Sequence, residues 1–373
     1  MTALYLHWPF CKKKCPYCDF NSHVRDAVDY TAWHDAMLAE MRTMHERAYV
    51  PDGITSIFFG GGTPSLMPPS LVGALIEEAD CLWGLSADCE ITLEANPTSA
   101  EIDRFRDIHA AGVNRLSIGI QSLCDESLHF LGREHNSAQA LQALEWAARI
   151  FSRYSFDLIY ALPHQSLEAW ESELRIALNY AGDHLSLYQL TIEPDTAFAR
   201  VYAKGDFTLP DGDMAADLYE LTESIMMEHG LYAYETSNYA KAGQMSRHNL
   251  TYWRGEPYIG VGAGAHGRIM AHDNMWVATS TLKSPERWLS AVQKDGHALE
   301  EYRRLSDVER AEERLLSGLR LREGVLWDHV AAIINMQALA RLISLGLIER
   351  TATHLRTSAR GVLLVERIIG ELV

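Results

Sequence analysis

Tyr5-Leu6-His7-Trp8-Pro9-Phe10-Cys11-Lys12-Lys13-Lys14-Cys15-Pro16-Tyr17-Cys18 is the most informative stretch of this chain. The apolar run Ala3 to Leu6 predicts a strand. Directly behind it Cys11, Cys15 and Cys18 stand in the spacing C-x3-C-x2-C, with an aromatic before the last thiol. Three thiolates can hold three corners of a 4Fe-4S cube, one fewer than electron-carrying clusters take. The fourth iron is then free to do chemistry. Structural zinc is the competing reading: it prefers four N or S ligands, and here His7 or His23 would have to supply the fourth. Disulfides fit less well, because six cysteines in 373 residues without a signal peptide suggest a reducing cytosol. Cys81, Cys89 and Cys124 lie in apolar or helical surroundings and read as small core residues.

Composition sets the outer limits. With 47% hydrophobic residues the chain can bury a large core and has room for one big domain and a smaller one. No apolar run approaches the length of a bilayer, so the expectation is a cytoplasmic protein that does not span the membrane. A net charge of -17 repels nucleic acid over most of the surface. The triplet Lys12 to Lys14 is a local exception.

Further along, apolar runs alternate with amphipathic helical patterns. Strands are predicted at 3–7, 54–59, 90–93, 115–120, 155–160 and 185–190, mostly apolar on both faces as parallel strands under helices should be. Tyr30, Trp33, Met37, Met41 and Met44 recur at helical steps behind Asp29, an N-cap residue. Leu71, Leu75, Ala79 and Leu82 follow Pro69, and Leu167, Trp170, Leu174 and Leu178 precede the sixth strand. Six strand-helix units predict a parallel α/β architecture. The downstream end of every strand carries polar or glycine-bearing residues: the cysteine loop, Gly60-Gly61-Gly62-Thr63-Pro64, Glu94-Ala95-Asn96-Pro97, Gly119-Ile120-Gln121-Ser122, Asp157 to Tyr160, and Thr191 to Pro194. Contributions converging from strand ends favour a six-unit partial β/α barrel over a doubly wound sheet.

The cysteine motif resembles that of the radical SAM superfamily, in which the open iron chelates S-adenosylmethionine (SAM). On that reading Gly60 to Gly62 let backbone approach the amino-acid end of SAM. Glu94 and Asp157 accept from its ammonium or ribose hydroxyls, and Gln121 and Arg133 hold its carboxylate and ribose edges. For each residue a solvated polar group at a strand end, or a helix salt bridge, is the plain alternative.

A narrower likeness covers nearly the whole chain. Phe58-Phe59-Gly60-Gly61-Gly62-Thr63-Pro64-Ser65, Leu131-Gly132-Arg133, Tyr234-Glu235-Thr236-Ser237-Asn238-Tyr239 and His248-Asn249-Leu250-Thr251-Tyr252-Trp253 resemble the branch containing oxygen-independent coproporphyrinogen III oxidases and HemW-type heme chaperones. The oxidases carry a further cysteine where Phe20 stands, and an N-terminal extension before the first strand. The stretch His248 to Trp253 resembles the chaperone group. The resemblance implies cluster ligation by Cys11, Cys15 and Cys18, and SAM contacts from Tyr5, Tyr17, Gly61, Gly62, Thr63, Glu94, Gln121, Arg133 and Asp157. It raises His248 as a heme contact; the plain alternative is a loop histidine satisfying backbone groups, and His266 is a second candidate for the iron.

Ser306 and Glu309 form a capping box, followed by helical leucines and two strand-like runs around Ile348 and Leu355. This predicts a small helical, winged-helix-like domain at 284–373 behind a radical SAM core at 1–283. Two functions compete: heme carriage to client apoproteins such as membrane respiratory enzymes, and radical decarboxylation of coproporphyrinogen III. The client and the electron donor are encoded in no motif, and a homodimer is compatible with the acidic surface.

Overall fold

The computed structural model describes residues 1–102 and 104–373, and the side chains of all of these but 99 and 100. Strands β1 (Thr2–Trp8), β2 (Ile54–Gly61), β3 (Leu85–Ala95), β4 (Arg115–Gln121), β5 (Arg153–Tyr160) and β6 (His184–Gln189) lie side by side in sequence order, all parallel. A doubly wound sheet reverses its strand order at a switch point; this one does not, which is the order of a barrel. A later parallel strand, β7 (Tyr258–Val261), pairs with the free side of β1. Beyond it β8 (His266–Met270), β9 (Trp276–Thr281) and β10 (Leu299–Arg304) extend the sheet antiparallel. The other end of the same sheet finishes on Asn238–Ala240 and Tyr232–Ala233.

The helices form where the periodicity put them. Asp29 caps Tyr30–Arg47 (α1) by accepting from Ala32 N, and α1 buries Trp33, Met37, Met41 and Met44. Pro69 opens Pro69–Trp83 (α2), and Ser166 caps Leu167–Leu178 (α3). The strands depart from expectation in one respect. Their outer faces are apolar (Leu4, Leu6, Ile57, Phe59, Ile91, Leu93, Leu116 and Ile118 are buried under helices), but their inner faces are polar: Ser56, Thr92, Glu94, Ser117, Ser155, Asp157 and Ser186. Period-2 alternation means one face lines a lumen instead of a second apolar layer.

At the amino ends of the strands, Arg115 donates to Ser155 Oγ (2.9 Å), and Glu90 pairs with Arg153 (2.7 Å). Glu90 Oε1 also accepts from Arg247 N (2.9 Å) at the start of Arg247–Trp253 (α4), fastening that helix to the lower lumen.

The boundary expected at 283/284 lies further on. Helix Pro285–Asp295 (α5) stacks Trp288 on Trp33, with ring centroids 4.6 Å apart, and β10 pairs with β9, so both belong to the large core. A separate apolar core begins at Leu315 and gathers Leu319, Leu339, Leu342, Ile348, Leu355 and Ile368. There Ile348–Arg350 pairs antiparallel with His354–Thr357, the expected hairpin, and Ser306 and Glu309 make the capping box. Cys89 is buried as read, but Cys81 and Cys124 are exposed, because their sides of the local helix and turn face solvent.

Candidate functional site: a thiol-rimmed pocket at the barrel mouth

All six cysteines are free thiols. Cys11, Cys15 and Cys18 line one pocket of about 150 Å³, together with Tyr17, Gly61, Gly62, Thr63, Glu94, Gln121, Arg133 and Asp157. Contributions from β1 through β5 thus meet at the carboxyl ends of the strands. Two of the thiols already receive donors: Thr63 Oγ1 lies 3.5 Å from Cys11 Sγ, and Arg133 Nη1 lies 3.3 Å from Cys15 Sγ. Burial pushes the Cys11 and Cys18 thiols up, so thiolate ligation at neutral pH expels protons. Among the described residues no three His, Cys, Asp or Glu side chains close on a single ion.

Backbone geometry explains the glycines. Gly61 sits at φ +110°, and a Cβ there would stand 2.6 Å from the His7 ring; at Gly62 it would stand 2.5 Å from the Phe10 carbonyl oxygen. Only glycine lets this loop pass so close to β1 and the cysteine loop. Gln121 adopts φ +72°, a conformation costly for a side chain with a Cβ, directly where it enters the pocket.

The polar groups here are short of partners. Arg133 donates to Asn96 Oδ1 (2.6 Å) and to the Gly119 carbonyl (2.7 Å), while its buried Nε has no acceptor. The Ser22 hydroxyl, on the same pocket, is likewise unpaired. Glu94 accepts one bond, from Gly61 N (3.3 Å), and among the described residues neither it nor Asp157 forms an ion pair. Burial, with the Asp157 carboxylate beside it, pushes Glu94 up to about 8; burial raises Asp157 to about 6, against the Ser186 hydroxyl and the Arg115 and Arg133 cations. Under-satisfied acceptors, a spare guanidinium donor and close-approach backbone beside three thiols fit a 4Fe-4S cluster with an amino-acid-bearing nucleoside. When bound, that pair would supply a one-electron reduction of the SAM sulfonium.

Tyr5 and His248 lie outside this pocket. Tyr5 lines a neighbouring cleft of about 690 Å³ that shares Gly61, Glu94, Lys14, Phe20 and Ser22 with it, and its hydroxyl meets His7 Nδ1 at 2.9 Å. His248 is on a helix, not in a loop. It is 1% exposed, stacked on Phe58 (4.7 Å), with Nε2 2.7 Å from the Tyr252 hydroxyl and Nδ1 3.3 Å from Ser56 Oγ. Burial, reinforced by Arg115, lowers it to about 3, so it is neutral. Tyr252 lines the cleft, which puts His248 one ring beneath the floor, whereas His266 lines the cleft and is exposed.

Residues 5–177 match the radical SAM superfamily and residues 305–364 the HemN C-terminal domain. The chain is 39% identical over 324 residues to the Escherichia coli (strain K12) heme chaperone HemW, covering 86% of this chain and 83% of that protein. It belongs to the HemW family. Its likeness extends to the Mus musculus protein named radical S-adenosyl methionine domain-containing protein 1, mitochondrial, at 42% over 332 residues, 88% of this chain and 75% of that one. In fold it is similar to the E. coli coproporphyrinogen III oxidase HemN, a radical SAM enzyme, with a TM-score of 0.80 at 22% identity, over 99% of this chain and 89% of that one. The HemN-type C-terminal domain starts at residue 305, where the large sheet ends. No described helix is long and apolar enough to cross a membrane.

Two residues of this HemW-family site escaped the sequence reading as individuals. Asn96 lines the pocket, bonds Thr63 Oγ1 (3.2 Å) and Arg133, and is itself held by Glu101 Oε2 on its backbone N–H (2.8 Å). Asn21 donates to the Ala263 (2.8 Å) and Lys283 (2.9 Å) carbonyls and binds His23 (3.1 Å), joining the cysteine loop to the far wall of the cleft. Asn96 carries a readable signal, an Asn-Pro pair closing a strand, and the signal for Asn21 is its place three residues behind Cys18.

Proposed function

We propose that this chain is a heme chaperone. It would hold a 4Fe-4S cluster on Cys11, Cys15 and Cys18, bind SAM against Tyr17, Gly61, Gly62, Thr63, Glu94, Gln121, Arg133 and Asp157, take heme at the mouth, and pass it to client apoproteins such as membrane respiratory enzymes. The observation that carries this reading is the likeness to proteins named heme chaperones, at 35–39% identity over 83–85% of their own length. The cleft supports it: about 690 Å³ lies within the roughly 300–1,000 Å³ of ligand sites, and Phe20, 55% exposed on its rim, offers a porphyrin an apolar face. Six free thiols suit a reducing compartment such as the cytoplasm.

The test is an anaerobic assay of cluster-loaded chain with coproporphyrinogen III, SAM and a strong reductant, run beside a heme titration. Saturable heme binding without decarboxylated product is expected. Protoporphyrinogen formed over many turnovers would make the chain an oxidase, and no saturable heme binding would sink the chaperone reading. We assign the heme iron to His248, reached when the Tyr252 ring swings aside. His248→Ala is then expected to shift the Soret band and weaken heme at least tenfold, and Tyr252→Phe, which frees Nε2, to strengthen it. An unchanged Soret band in His248→Ala would move the assignment to His266.

SAM binding should depend on pH. Glu94 (about 8) and Asp157 (about 6) are largely protonated in the free chain below those values but must be ionised to accept from a cationic ligand. Binding therefore releases protons, and affinity is expected to rise between pH 6 and 8, by up to about tenfold per pH unit for each proton released, then level off. Calorimetry in buffers of different ionisation enthalpy would detect the protons. A flat profile would remove Glu94 and Asp157 from the contact.

A further inference from the structure

The chain contains seven lysines, and four of them, Lys12, Lys13, Lys14 and Lys283, ring the openings over the cysteine loop. All four are exposed. Among the described residues none of them forms an ion pair, whereas Lys241 and Lys294 do. Lys14 alone is tied down, by a bond to the Phe20 carbonyl (3.2 Å). Nearby, Arg25 is matched by Glu286, and the exposed acids facing the rim are Asp19 and Glu134. On a chain of net charge -17, three consecutive unpaired cations are a local inversion of sign that neither packing nor the cysteine spacing requires. Cys15 and Cys18 are themselves partly exposed inside this rim, so the short way from solvent to the thiols crosses it.

Resting on the cluster reading above, we infer that the lysine rim is the docking surface for a small acidic one-electron carrier protein. The reduced carrier gives one electron to the cluster, which is reduced by one; no bond forms and no proton moves. The complementary charge would orient the carrier over the thiols, and electrostatic steering of this kind raises association rates by about 10–10³ and decays with salt. A weak transient contact is enough for a redox encounter.

The test uses the full-length, cluster-loaded chain, with bleaching of the cluster absorbance followed by stopped flow. Reduced flavodoxin serves as the acidic probe and photoreduced deazariboflavin as an uncharged one. With flavodoxin the native rate should fall steeply with ionic strength, K12E/K13E/K14E should slow it at least tenfold, and K12R/K13R/K14R should keep it. With deazariboflavin all three chains should reduce alike. Equal flavodoxin rates for the lysine and glutamate forms would overturn the inference, as would equal slowing by both reductants. A glutamate variant that loses heme affinity while keeping its flavodoxin rate would give the rim to porphyrin carboxylates and also overturn it. If the native chain assembles no cluster, the cluster reading falls first and this inference with it.

Discussion

Cys15→Ala is expected to abolish the visible absorbance of the anaerobically reconstituted chain, to drop bound iron to background, and to eliminate any SAM cleavage. Cys15 is the middle thiol of the loop and the one that accepts from Arg133 Nη1, at 3.3 Å. Its loss leaves two thiolates for a cube that already lacks a fourth protein ligand, and turns a guanidinium donor toward a methyl group. The fold should survive, because Cys15 is partly exposed and packs into no core cluster. Cys89→Ala, in a buried cysteine remote from the pocket, supplies the control and should assemble its cluster normally. Full iron stoichiometry in Cys15→Ala would sink the three-thiolate assignment. Stoichiometric zinc in the native chain, unaffected by added iron and sulfide, would favour the structural metal site instead.

Much of the barrel was legible because its information is local. Each of the six strands shows as a short, mostly apolar run, and Asp29, Pro69 and Ser306 mark helix starts that the structure keeps. The polar inner face was not legible as such. Ser56, Thr92, Ser117 and Ser155 are small enough to sit in an apolar run without breaking it, and only the side-by-side parallel order of the six strands puts them on one shared inner face. The domain boundary was missed for a related reason: α5 is amphipathic in either assignment, and nothing local shows that Trp288 reaches Trp33. The cysteines and the strand-end residues were read as a group because order along the chain is order around a barrel. His248 marks the limit of that logic. A likeness names the residue but cannot say on which side of Tyr252 its ring lies.

Glu40→Ala is expected to cost about 3–6 kcal/mol, from three stranded donors at about 1–3 kcal/mol each with some relief from entering water. The side chain is 0% exposed on α1, among Trp33, Met37, Met41 and Met44, where an amphipathic pattern calls for an apolar residue. Its carboxylate instead gathers three elements: Gly262 N (2.8 Å) after β7, Ala298 N (2.9 Å) before β10, and Trp288 Nε1 (3.0 Å) on α5. No cation pairs with it among the described residues, so backbone and indole donors alone hold it in place, and removing it leaves all three buried without a partner. A loss of this size is a large part of the roughly 5–15 kcal/mol that holds a domain folded, and denaturant midpoints of the cluster-free chain would show it. Glu40→Gln, which keeps the volume but turns one acceptor into a donor, should lose about half as much. The consequence reaches the mouth. Gly262 opens the turn that carries Ala263 and Gly264; Asn21 binds the Ala263 carbonyl, and through it that turn holds the cysteine loop. Heme affinity should therefore fall in Glu40→Gln even at temperatures where the variant is fully folded. A midpoint shift worth less than about 1 kcal/mol in Glu40→Ala would mean that water replaces the carboxylate, and that the clamp between barrel and mouth lies elsewhere.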